Sequence, residues 1–194
     1  MNFLKRTYNW TLKKAQHKNA NWYLSLISFA ESSFFPTPPD ILLIPMALAS
    51  KAKALFYAFI CTLFSVLGGI LGYAIGYFFF NSVGIYIVEF YHLENSFSVF
   101  EDYYKEFGIL IVLGAGITPF PYKFITIASG VFGLNIFLFV IVSIIGRGLR
   151  FYLIAILLYF FGEKIKLIID KYFNILTIMF FILLLGSVFI IRLI

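Results

Sequence analysis

The sequence predicts an all-α integral membrane protein with a transporter-like inverted repeat. Two re-entrant helical hairpins face each other, and about three full transmembrane helices accompany them. Three observations carry this prediction. First, 62% of the 194 residues are hydrophobic and 12% are charged, whereas a soluble domain carries about 25% charged residues. Second, two apolar runs are interrupted by prolines, at Pro36, Pro38 and Pro39 and again at Pro119 and Pro121. Third, each interrupted run is followed by an apolar segment long enough to cross a bilayer.

Residues 1–20 carry Lys5, Arg6, Lys13, Lys14 and Lys18 and no acid, interleaved with Phe3, Leu4, Tyr8, Trp10 and Leu12. This pattern reads as a basic amphipathic helix on the cytoplasmic surface. A membrane domain is expected over 21–171. It opens with a re-entrant segment at 22–49, whose arms reach roughly 20 Å and 14 Å against a hydrocarbon core of about 30 Å. Proline lacks an N–H and breaks the helix between the arms. In lipid, broken backbone persists only where protein buries it or a cavity hydrates it. A hairpin also leaves Lys51 and Lys53 on the same side as the basic N-terminus.

A full crossing at 54–80 follows. Its Gly68-xxx-Gly72-xxx-Gly76 stripe allows close helix approach. The stripe suits a neighbouring hairpin better than a dimer interface, although a homo-oligomer is compatible with it. Residues 81–107 hold Glu89, Glu94, Glu101, Asp102 and Glu106 against Lys105, which suits an outer loop. A second re-entrant segment at 108–134 repeats the first from the opposite face, and 136–161 is the next crossing. A short cytoplasmic link leads to a C-terminal crossing at 172–194, anchored by Arg192. Aligning the two breaks sets Pro36 on Pro119, Pro38 on Pro121 and Asp40 on Lys123.

Five charges fall inside this scheme: Glu31, Asp40, Lys123, Arg147 and Arg150. An unpaired Arg at mid-bilayer costs at least about 2.5–3.5 kcal/mol, so partners are required. One reading is a salt-bridge network that braces the hairpins. The other is a wet cavity in which Lys123, Arg147 and Arg150 hold a phosphate-like anionic headgroup. Glu31 and Asp40 then take up and release protons as their partners move. Pro36, Pro38, Pro39, Pro119 and Pro121 serve as hinges in either case.

Other chemistries find little footing. There is no His-Glu-x-x-His pair, Gly-x-Ser-x-Gly elbow or Walker loop, so no enzyme, cofactor or metal is expected. The net charge of +6 gathers at membrane edges, which argues against a nucleic-acid partner. The single Cys61 permits no internal disulfide.

The segments Phe29-Ala30-Glu31-Ser32-Ser33-Phe34-Phe35-Pro36-Thr37-Pro38-Pro39-Asp40, Thr118-Pro119-Phe120-Pro121 through Ala128-Ser129-Gly130, and Gly146-Arg147-Gly148-Leu149-Arg150-Phe151 resemble the DedA family. That family is also called the VTT or SNARE-associated Golgi protein family, and the likeness is closest to its YqaA-like bacterial branch. The resemblance covers residues 22–162. It implies a multi-pass protein of the bacterial inner membrane, with a cytoplasmic N-terminus, that moves a phospholipid or polyprenyl-phosphate carrier between leaflets. It also implies proton coupling, with the family's acids carried onto Glu31 and Asp40 and its late arginines onto Arg147 and Arg150. One departure concerns the second break. Gly116 stands where the family has an Arg, and only Lys123 lies near the place of another. The alternative to transport is a structural or assembly membrane protein.

Overall fold

Pro39 and Pro121 each stand just before a helix start, while Pro45 lies inside a helix. The computed structural model describes residues 19–35, 37–90, 92, 94–118 and 120–191. The expected surface helix at 1–20 lies almost wholly outside these residues, as do Pro36, Pro119 and Arg192. Helix α1 (Ala20–Ser33) stops with Phe34 N and Phe35 N both donating to Ala30 O, at 2.9 and 2.7 Å. Helix α2 (Asp40–Ala49) starts after Pro39, whose φ of −66° already suits a helix. Asp40 opens α2, where the helix dipole favours an anion.

A 3-10 turn (Lys51–Lys53) leads into α3 (Ala54–Phe79). A π turn (Phe80–Gly84), α4 (Ile85–Phe90) and α5 (Glu94–Ile117) follow. Pro121, in extended backbone, precedes α6 (Tyr122–Val131). Gly133 turns the chain with a left-handed φ of +63°, a conformation that favours glycine. Asn135 Oδ1 then accepts from Phe137 N and Leu138 N, at 3.0 and 3.2 Å, and caps α7 (Ile136–Ile191). All regular structure among the described residues is helical.

The contacts give the helix directions. Ala20 and Leu24, early in α1, share a buried cluster with Met46 and Ala47 late in α2 and with Ala54 and Tyr57 early in α3. Further along α1, Phe29 lies against Gly68. So α1 and α3 run parallel, and α1–α2 folds back as a hairpin. Helix α7 runs against α3, with Arg147 meeting Ser65 and Phe139 meeting Gly69. Helix α5 runs parallel to α7, with Val112 clustering with Phe139 and Gly116 touching Gly146. Helix α6 returns along α3, with Tyr122 near Gly69 and Ile127 near Gly76. The set α5–α6–α7 thus follows the course of α1–α2–α3 in the opposite direction.

Helix α3 is the common wall. At Gly68 an added Cβ would stand 2.0 Å from Phe29 O of α1, and at Gly76 it would stand 2.0 Å from Ile127 O of α6. The glycine stripe therefore seats both hairpins within one chain. Two helices, Lys51–Phe79 and Ile136–Gly162, are long and apolar enough to cross a membrane by length and composition.

Two expectations need correction. Residues 81–107 are largely helical rather than an outer loop, and 94–107 form the first part of α5. Residues 94–107 lack Gly and Pro. Glu101 pairs with Lys105 at 2.7 Å along the helix, and the buried Tyr104 donates to, or accepts from, Ser129 Oγ at 2.7 Å. Burial pushes the Tyr104 phenol up to about 12. The expected link before residue 172 is also helical. Helix α7 is unbroken over 56 residues, about 84 Å at 1.5 Å per residue. Residues 163–171 hold no helix breaker, and their charges suit a helix as well as a loop.

Candidate functional site

The first helix break brings the embedded acids on either side of it, Glu31 and Asp40, against α7. Glu31 lies in the last turn of α1, before the first proline cluster, and is 8% exposed. Arg147, in α7, is 2% exposed. Arg147 Nη2 donates to Glu31 Oε2, and Nε donates to Ser65 Oγ at 2.6 Å. Ser65 Oγ lies 2.6 Å from Ser32 Oγ, which donates to Glu31 Oε2 at 3.0 Å. Because an arginine N–H only donates, the Ser65 proton is left to point at Ser32. A one-way ring results: Arg147 to Ser65 to Ser32 to Glu31.

Aromatic rings enclose this ring of bonds. The Arg147 guanidinium carbon sits 4.9 Å from the Tyr122 ring centroid and 4.8 Å from that of Phe151. Tyr122 Oη is held 2.6 Å from Ser143 Oγ. A desolvated cation over a ring face contributes about 2 kcal/mol. The frayed end of α1 is satisfied from the other hairpin. Thr126 Oγ1 of α6 donates to Ser32 O at 2.9 Å, and Ser33 Oγ donates to Gly68 O at 2.9 Å. One carbonyl that the broken helix leaves bare, Ser32 O, thus finds its donor in α6, while the Ser33 hydroxyl ties the same end of α1 to α3.

The second pair differs. Arg150 Nη2 donates to Asp40 Oδ2, and Nη1 donates to Thr118 O at the end of α5. The side chains are 14% and 18% exposed. Asp40 Oδ1 and Arg150 Nε are buried with no hydrogen-bond partner among the described residues. Beside Arg150 opens an apolar cleft of about 450 Å³, lined also by Ile117, Leu149, Leu153 and Ile154.

Of the five charges read from sequence, four therefore form two pairs, Glu31–Arg147 and Asp40–Arg150. Lys123 joins neither. Its Nζ lies 5.4 Å from the Phe124 ring centroid, and no described carboxylate bridges to it. The alignment of Asp40 with Lys123 was a correspondence between repeats, and equivalent positions need not touch. Pro39 is buried at the start of α2, while Pro38 and Pro121 are exposed at the breaks. Ser65 was not singled out from sequence, and Ser32, Thr118, Tyr122, Thr126 and Phe151 fall within the resembling segments without a role assigned to them. A hydroxyl in an apolar run, such as Ser65, was the available signal.

Two bacterial proteins are similar to this chain over most of its length. An uncharacterized protein of Haemophilus influenzae is 38% identical over 157 residues, 81% of this chain and 81% of its own. An uncharacterized protein of Histophilus somni is 36% identical over 160 residues, 81% of this chain and 82% of its own. No family model matches the chain, and no solved structure matches it.

Proposed function

We propose a function from one premise: this chain belongs to the family of the Haemophilus influenzae and Histophilus somni proteins. In our reading it is a multi-pass protein of the bacterial inner membrane with its N-terminus in the cytoplasm. It moves a phospholipid or polyprenyl phosphate between leaflets, linked to protons. The two hairpins are re-entrant, dip from opposite faces and form an inverted repeat. The resemblance to the DedA family suggests the same class of cargo.

Several features support this reading. Helix α7 presents Ile141, Ile144, Ile145, Leu149 and Leu153 on its exposed surface, where a soluble protein rarely leaves so long an apolar face. The starts of α2 and α6, Asp40 and Tyr122, and those of α3 and α7, Ala54 and Ile136, keep one spacing. The observation that carries the proposal is the Asp40–Arg150 pair. It sits at a helix break, beside a cleft, with an unused acceptor on one partner and an unused donor on the other. A pair in that condition can exchange partners at small cost. Protonation of Asp40 frees Arg150 for a phosphate, and release of that phosphate lets the pair re-form. Lys123 stands near the same break as a point charge.

The test is leaflet exchange of labelled phospholipid and polyprenyl phosphate in proteoliposomes, with and without a proton gradient. Exchange no faster than in protein-free liposomes, for both substrates, overturns the proposal. A second reading, that the charges only brace the fold, is favoured by the closed Glu31–Ser32–Ser65–Arg147 ring. Asp40→Asn separates the two. An inserted, folded but inactive protein supports transport, and a protein that fails to fold supports bracing.

A further inference from the structure

We propose that the cleft between the end of α5 and the first third of α7 seats one acyl chain of a net-negative phospholipid, with Arg150 donating to its phosphate. The inference rests on the transport reading and gives it a location and a cargo. Ile117, Leu149, Leu153 and Ile154 supply an aliphatic wall, and Arg150 is the one polar residue among the described residues of the lining. Leu149 and Leu153 are 55% and 59% exposed, so the cleft opens sideways, where a lipid tail would enter. Its volume of about 450 Å³ is that of a small-ligand pocket, roughly 300–1,000 Å³. It suits one fatty-acyl chain better than the several-fold longer chain of a polyprenyl phosphate.

The headgroup follows from the arginine. Two of its nitrogens are engaged by Asp40 and Thr118 O, and Nε is buried without a partner among the described residues. Nε itself is buried, so the donor a phosphate takes is Nη2, released when Asp40 is protonated. A charged N–H left unpaired is costly, and a phosphate oxygen is the acceptor that matches it best. A net-negative lipid brings that phosphate without an ammonium group to repel the guanidinium. Arg147 cannot serve, because Glu31, Ser65 and two aromatic rings already enclose it.

The experiment uses the full chain with Trp10→Phe and Trp22→Phe, reconstituted in bilayers, and one new probe at a time. Leu153→Trp reports on the cleft. Phe160→Trp, at a position 69% exposed on the same helix, reports on bulk lipid. Quenching is measured with phosphatidylglycerol or phosphatidylcholine brominated on one acyl chain. At 153 the apparent association of the glycerol lipid is expected to exceed that of the choline lipid about tenfold, the scale of one hydrogen bond to a charged group. At 160 the two lipids should quench alike. Arg150→Gln should erase the preference at 153, whereas Arg150→Lys, which keeps the charge, should retain part of it. The 160 probe shows that each variant is still embedded.

Equal quenching at 153, or a preference that survives Arg150→Gln, overturns the cleft assignment even if lipid exchange continues. Displacement of the brominated lipid by equimolar polyprenyl phosphate overturns the phospholipid assignment. Selective quenching without leaflet exchange supports the cleft and removes the transport reading.

Discussion

Arg147 and Arg150 lie one turn apart on α7, and each meets an acid from the first hairpin. The Glu31–Arg147 pair is shut in. Glu31 Oε2, Arg147 Nη2 and Nε, and the hydroxyls of Ser32 and Ser65 share one ring of bonds, and two aromatic faces cover the cation. The Asp40–Arg150 pair keeps spare capacity: Asp40 Oδ1 and Arg150 Nε are buried without a hydrogen-bond partner among the described residues, and Arg150 borders a cleft. The same two residue types thus do different physical work. A closed pair costs much to break and gives nothing on exchange, so it holds helices together. A half-satisfied pair is already under-bonded, so a new partner can replace the old one at small net cost. The lesson is that an embedded ion pair is best judged by its spare hydrogen-bonding capacity, not by its charge.

The largest expected effect comes from breaking the closed pair. Arg147→Gln leaves Glu31 buried without its cation, and removing one partner of such a pair costs about 3–5 kcal/mol. The variant is expected to lose most of its folded yield in detergent, read by size-exclusion and thermal unfolding. A stable, monodisperse Arg147→Gln protein would erase the distinction between the pairs.

Next comes the wall on which both pairs depend. Gly68→Ala places a methyl 2.0 Å from a backbone oxygen of α1, so the helix must shift rather than a side chain. Overpacking of this kind costs about 1–3 kcal/mol and should lower the unfolding temperature while moving Glu31 away from Ser65. Ser65→Ala acts on the same ring from within. It strips an acceptor from Arg147 Nε and a donor from Ser32, for about 1–3 kcal/mol. The expected result is a less stable protein that still exchanges lipid.

Asp40→Asn should invert that pattern. The pair is part-exposed and already under-bonded, so stability is expected to fall by only about 1 kcal/mol, while proton-linked leaflet exchange is lost. Equal losses of stability and exchange at Asp40 and at Arg147 would mean that the pairs do not differ. The smallest effect is expected at the tie between hairpins. Thr126→Val removes one hydrogen bond to Ser32 O, about 0.5–1.5 kcal/mol. It sharpens the comparison only if exchange changes more than stability does.

Much of this architecture was legible in the residues. Pro39 and Pro121 marked helix starts because a ring without an N–H has few other places to go. Gly68 and Gly76 marked a seat for neighbours because only a residue without Cβ admits a backbone so closely. The helical state of 94–107 and 163–171 was harder to read. Acids and lysines suit a solvated helix as well as a loop, and the absence of Gly and Pro was the better guide.

By itself the sequence determined an apolar, helical chain with two proline breaks and a handful of charges that could not remain unpartnered. Periodicity and residue chemistry are local properties, and they survive in a linear text. Only the tertiary structure decided who meets whom. It sent Arg147 to Glu31 and Arg150 to Asp40, and left Lys123 aside over Phe124. It also recruited Ser65 and Thr126, from helices distant in the chain, to close one site while the other stayed open. Partner choice depends on helix direction and rotation, which are set by packing across α3 and not by any single segment.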